Sequence, residues 1–242
     1  MKMCAFASRN TKEILRDRLN VIFGLGFPLI VLLLLTLIQS NVPQELFPLR
    51  KLTPGIAVFG LSFVSLFSAT VISKDRSSSL MLRLYSSPMR PADYILGYTL
   101  PLLPMSIAQA LICFAAALAL GLEWSVNILL SIAVLVPAML LFIAVGLICG
   151  TLLNDKQVGG ICGALLTNLT AWLSDTWFDV SLVGGAFEKI ANALPFIHAV
   201  KAGRAAYNGE FSAIMPELWW VIVYAAVFML LAAVIFKKKM KT

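Results

Sequence analysis

The side chains able to carry out bond chemistry are few, and their spacing excludes most of it. There is a single histidine, His198, so no histidine cluster can hold a metal, and no H-E-x-x-H helix is present. No G-x-x-x-x-G-K-[ST] stretch occurs either, so the backbone amides and lysine that cradle nucleotide phosphates are missing from this chain. Ser62 sits in "GLSFV" within an apolar segment, the setting of an intramembrane serine nucleophile. Such a serine needs a base within hydrogen-bond reach, and only His198 could supply it. A hydroxyl that bonds its own helix backbone or a neighbouring helix is the better reading of Ser62. Cys113, Cys149 and Cys162 fall in apolar segments and Cys4 near the amino terminus, which suits packing residues rather than a disulfide framework.

One polar stretch is patterned for contact instead of catalysis. In "SKDRSSSLMLRLYSSPMRPADYILG", Ser73 to Gly97, serines offer a helix N-cap and are followed by Leu80, Met81, Leu84 and Tyr85. Their spacing of i, i+1, i+4 and i+5 puts them on one helix face, with Arg76 and Arg83 at its rim and Pro88 and Pro91 ending the run. Such a helix either lies on lipid headgroups or inserts as a knob into a groove of a soluble partner. Other polar residues sit inside apolar segments: Ser62, Ser65, Ser68 and Thr70 on a broad face, then Thr167, Asn168 and Thr170. These line a path or join helices by hydrogen bonds of roughly 0.6 to 2 kcal/mol each. His198, Lys201 and Arg204 recur at i, i+3 and would either meet lipid phosphates or an acidic cargo group, or snorkel to the interface.

The elements that must position these residues are membrane helices. Of the 242 residues 60% are hydrophobic and 13% charged, and the mean hydropathy is +0.90. A crossing needs about 20 mostly apolar residues. Six segments qualify: residues 21–38, 54–72, 94–120, 128–153, 158–173 and 218–236. The first is too long for a signal peptide and lacks a cleavage pattern. Small-xxx-small pairs at Gly146/Gly150 and Gly159/Gly163 favour close helix packing. No span carries a charge well inside it, which argues against a proton relay or an ion-coupled carrier.

Lys and Arg orient the chain. Lys2, Arg9, Lys12, Arg16, Arg18, Lys74, Arg76, Arg83, Arg90, Lys156, Lys237, Lys238, Lys239 and Lys241 share one side if both termini are cytoplasmic. Only Arg50, Lys51, Lys189, Lys201 and Arg204 remain outside. The net charge of +7 therefore reflects topology and not a nucleic-acid partner, and the basic tail suits anionic headgroups. Ahead of the first span, "FASRNTKEILRDR" reads as a helix lying in the interface or as a plain basic flank. Between residues 174 and 217, "FEKIANALPFIHAVKAGRAAYNG" predicts two short helices broken at Pro195 that dip back toward the membrane.

Together, "ILRDR" with Pro28 in the first span, "SKDRSSSLMLRLYSSPMRPADYILGYTLP" and "LPFIHAVKAGRAAYNG" resemble the ABC-2 type permeases of ATP-binding cassette exporters over essentially the whole chain. The resemblance implies an all-α membrane fold in a single domain, residues 1–242. It comprises an interfacial helix (1–20), five spans with a coupling helix at 75–90 (21–173), an outer re-entrant region (174–217), and a last span with a basic tail (218–242). It further implies that Asp75, Arg76, Ser79, Leu80, Met81, Arg83, Leu84 and Tyr85 dock on a separate ATPase, and that "NDKQ", Asn154, Asp155, Lys156 and Gln157, forms a second contact. In the family pattern an acid precedes a Gly-Thr/Ser-Leu step; Asp75 and Leu80 match it, while serine replaces the glycine. Ser62, Ser65, Ser68, Thr167 and Asn168 would then line the path, and His198, Lys201 and Arg204 would face cargo or lipid on the outside. The chain itself would hold no cofactor, ATP and Mg being bound by the ATPase. Two permease chains, identical or related, would pair in a bacterial cell membrane and export an amphipathic drug, antibiotic, peptide or lipid. The competing readings are a polysaccharide or teichoic-acid exporter, a non-transporting anchor or immunity protein, and a secondary carrier.

Overall fold

The computed structural model describes residues 2–78 and 91–239. Ser79, Leu80, Met81, Arg83, Leu84, Tyr85, Pro88 and Arg90 lie outside them. Among the described residues the chain is helical, without strands: α1 (Lys2–Arg16), α2 (Arg18–Ser40), α3 (Leu49–Ser77), α4 (Pro91–Ala119), α5 (Asn127–Val134), α6 (Val136–Leu152), α7 (Asp155–Val158), α8 (Thr167–Leu173), α9 (Gly185–Ala193), α10 (Pro195–Asn208) and α11 (Phe211–Lys239). A π-helical stretch, Gly159–Leu166, joins α7 to α8.

Among the described residues five stretches are long and apolar enough to cross a membrane: Val21–Ser40, Leu49–Ser77, Ala92–Ala119, Asn127–Leu152 and Phe211–Lys239. They match five of the six segments expected from hydropathy, two of which end one residue earlier than expected. The remaining one, residues 158–173, is helical but is assembled from α7, the π-helical stretch and α8. Gly159, Gly160 and Gly163 lower the cost of leaving α geometry there. The fourth crossing breaks at Leu135, where Pro137 cannot donate to the Ala133 carbonyl. α9 ends at Ala193 and Pro195 opens α10, as Pro195 predicts. Gly209, at φ 78°, ends α10 in the left-handed conformation that favours glycine.

α3 is the axis of the bundle: 78% of its apolar window is buried, against 17% for α2 and for α11. Ile22, Phe23, Leu34, Leu37, Leu230 and Val234 on those outer helices stay exposed, as helices facing hydrocarbon can. α6 packs closely against α3 because Gly146 and Gly150 carry no side chain. A Cβ at Gly146 would come within 2.4 Å of the Ser65 carbonyl oxygen, and one at Gly150 within 2.6 Å of the Ala69 carbonyl oxygen. Gly159 and Gly160 meet nothing within 4 Å. Only the first of the two glycine pairs therefore holds helices in backbone contact.

Gly146→Val should lower the unfolding temperature of the purified protein through an overpacking cost of about 1–3 kcal/mol. Gly160→Ala, in open space, should leave it essentially unchanged.

Candidate functional site

α3 does not stop at Ile72 but runs on to Ser77, and this carries Asp75 into the interior at one end of the bundle. Asp75 is 2% exposed. An unpaired carboxylate could not persist there. Arg9 from α1 meets it with a two-pronged fork, Nη1 to Oδ2 and Nη2 to Oδ1, both at 2.6 Å. Tyr98 from α4 donates its hydroxyl to Oδ2 at 2.9 Å. One carboxylate thus gathers three helices.

The next residue of α1 closes the joint. Asn10, fully buried, donates Nδ2 to the Gly97 carbonyl at 3.0 Å. In an unbroken helix that carbonyl would accept from the amide of residue 101, which is proline and has none. Asn10 replaces the missing donor. Beside it Phe6 packs edge-on against Tyr98, with ring centroids 5.0 Å apart, and against Tyr94 at 5.9 Å. A Cβ at Gly97 would lie 2.3 Å from the Phe6 ring. Tyr94 in turn stacks on Phe236 of α11 at 5.8 Å. The amino-terminal helix is therefore docked into the bundle by Phe6, Asn10 and Ile14, not merely laid along an interface; its exposed face keeps Lys12 and Arg16. Lys74 Nζ also reaches Asp17 Oδ2, between α1 and α2, at 3.0 Å.

Arg76 turns the other way from Asp75. Its guanidinium donates to the Thr151 carbonyl and, at 2.6 Å, to the Leu153 carbonyl, at the carboxyl end of α6. Immediately beyond, Asn154 and Gln157 form a reciprocal cap: the Gln157 amide donates to Asn154 Oδ1 at 3.0 Å, and the Asn154 amide to Gln157 Oε1 at 3.1 Å. Asp155 and Lys156 stay exposed on this turn. Asp75 and Arg76 are thus engaged within the chain, and both sit at the mouth of the segment 79–90.

At the opposite end, His198 and Arg204 are likewise held internally. His198 is buried and stacks on Trp220 with centroids 5.1 Å apart and planes 7° from parallel. Its Nδ1 pairs with the Glu217 carboxylate, and its Nε2 donates to the Asn192 carbonyl at 2.9 Å. Arg204 joins three pieces of chain, donating to the Lys51 carbonyl at 2.9 Å, to Asp175 Oδ2 at 2.5 Å and to the Asp175 carbonyl at 2.6 Å. Asp175 holds φ 64° and accepts the Val180 amide at 2.8 Å. Lys201 reaches Asn192 Oδ1 at 3.3 Å.

The small polar residues of α3 point inward. Ser62, Ser65 and Ser68 are fully buried. Ser62 donates to the Phe59 carbonyl of its own helix at 2.7 Å, and Ser68 to the Ile143 carbonyl of α6 at 3.3 Å. Of the candidates for a path, Asn168 is exposed and Thr167 partly so, and both return their donors to their own helix. The residues that sequence reading missed are Arg9, Asn10 and Tyr98. A signal existed for Asn10: it lies four residues from both Phe6 and Ile14, within the stripe that is buried. The pairing of Gly97 with Pro101, four residues apart, was its counterpart.

Two expectations follow. Asn10→Ala should cost about 1–3 kcal/mol by orphaning a buried carbonyl, while Pro101→Ala restores an amide donor to it. In a thermal-unfolding double-mutant cycle the pair should lose less than the sum of the single losses. Burial holds the Glu13 carboxyl above the usual carboxylate range, the Asp75 charge adds to this, and Arg9, Lys74 and Arg16 offset it only in part. The folded chain therefore takes up this proton more readily than the unfolded one, so the contribution is stabilising at low pH and is lost as pH rises through the raised range. Glu13→Gln should raise the unfolding temperature at mildly alkaline pH, with the gain vanishing as pH falls to the ordinary carboxylate range.

A protein-family model described as ABC-2 type transporter matches residues 1–208, from α1 to the end of α10. No curated protein matches the chain. The matched span includes the Arg9–Asp75–Tyr98 joint, the segment 79–90 and the capped turn 154–157, together with four of the five membrane-length stretches. By that coverage the chain belongs to the ABC-2 type transporter family, as a multi-pass membrane permease.

Proposed function

We propose that this permease exports an amphipathic molecule, with the driving energy supplied by ATP hydrolysis in a separate ATPase subunit that docks on residues 79–90 and on the turn 154–157. ATP and its Mg belong to that partner. A second permease chain completes the translocation path between the two. Both termini, and with them Asp75 and the lysines of α11, face the cytoplasm.

The observation that carries this reading is the mount of the segment 79–90. A peg transmits displacement only if its base does not yield. Here the base is a carboxylate 2% exposed, held by two 2.6 Å bonds from Arg9 and one of 2.9 Å from Tyr98. A buried carboxylate that loses its counter-charge is strongly destabilised, so the base resists strain. By their spacing in the sequence, Leu80, Met81, Leu84 and Tyr85 would share one apolar helix face of the kind that fills a groove. An uncharged membrane interior favours an amphipathic cargo over a small ion.

The reading is tested by Leu84→Asp in the permease co-purified with its ATPase. Charge on the knob should abolish association and, with it, stimulation of ATP hydrolysis by cargo, while the permease alone keeps its unfolding temperature. Unchanged association would remove the docking assignment. Uptake of an amphipathic dye into inside-out vesicles, dependent on ATP, tests the direction.

A further inference from the structure

We infer that Arg76 is a positioning residue that ties the end of α3 to the end of α6 and the turn 154–157, so that they move as one body; this rests on the docking just proposed. An α-helix leaves the carbonyls of its last turn without intrahelical partners and with partial negative charge. At the end of α6, the Cys149 carbonyl is taken by the Leu153 amide at 2.8 Å. The Thr151 hydroxyl turns back to Leu147 at 2.7 Å. The Thr151 and Leu153 carbonyls are those that Arg76 takes up, one with each arm of the fork. Among the described residues Arg76 forms no ion pair. Its charge is committed to the end of a helix, and through it to the turn that follows.

The tie has little slack. One turn earlier α3 and α6 are already in backbone contact at Gly150 and Ala69. Beneath the turn, Ala69, Val158 and Cys162 form a small apolar cluster with Leu66, Cys149 and Leu153. The turn itself is closed by its Asn154–Gln157 cap. On the other side Asp75, adjacent to Arg76, is fixed to α1 and α4. A displacement delivered to the end of α3 must therefore carry the end of α6 and residues 154–157 with it.

The test places spin labels at Ser77 and Gly160, both exposed and outside the docking segments, in a background without the four native cysteines. Distances are read in the permease alone and in its ATPase complex with and without ATP. The wild type should give one narrow distribution that nucleotide does not move. Arg76→Ala should broaden it and keep the ATPase bound, yet lose cargo-stimulated hydrolysis; Arg76→Lys should recover both in part. A distribution equally narrow in Arg76→Ala, or a wild-type shift of about 5 Å, one helical turn, on adding ATP, would overturn the tie. So would full stimulation in a broadened Arg76→Ala, or a Lys variant no better than Ala. Failure of the wild-type permease to bind the ATPase would instead count against the docking assignment, since the distances in the permease alone decide the tie independently. Should Arg76→Ala not fold, Arg76→Gln, which keeps one donor, takes its place under the same criteria.

Discussion

A carboxylate withdrawn from water at the end of a membrane helix has to be neutralised where it stands, and the organisation of one end of this protein follows from that requirement at Asp75. Burying an ion costs several kcal/mol, and only close, well-aligned partners repay it. Arg9 brings α1 against the bundle, and Tyr98 brings the beginning of α4 to the end of α3. The end of α3 and the first turns of α4 are thereby joined on a base shared with the amino-terminal helix. Removal of Arg9 would leave the Asp75 carboxylate buried without a counter-charge.

The opposite end is built on the same logic with different residues. Arg204 and Asp175 hold the stretch after α8 to α10 and to the beginning of α3, and His198 with Glu217 holds α10 to α11. Between the two ends, polarity is confined to hydroxyls and amides, most of which return to their own helices. This division suits a bilayer. Lipid tails are as apolar as leucine, so helices in hydrocarbon gain little from hydrophobic burial and associate through close packing and polar contacts. Gly146 and Gly150 supply the packing, and the charged joints at the ends supply directionality.

Proline creates some of the joints. Pro101 leaves a buried carbonyl at Gly97 without its helical donor, and a side chain from an element more than eighty positions earlier, Asn10, takes that place. A break in one helix thus becomes an address for another. Arg76 acts on the same principle at the end of α6, where the orphaned carbonyls come from helix termination.

Much of the fold was legible in the sequence because membrane crossing is a one-dimensional constraint: about 20 apolar residues in a row suffice to mark it. Five of six segments and the break at Pro195 could be read from local pattern. The remaining segment, residues 158–173, carries glycines whose effect on helix type depends on what surrounds them, and it became partly π-helical. The site residues divide in the same way. The apolar spacing of Leu80 to Tyr85 is a property of consecutive residues. That Asp75 would be buried, and that Arg9 would find it 66 positions away, depends on how α1 folds back on the bundle, and no local spacing encodes that distance. His198, Lys201 and Arg204 share a face by their spacing; the tertiary structure set His198 and Arg204 against Glu217 and Asp175, because a buried polar group takes whichever partner the fold brings within reach.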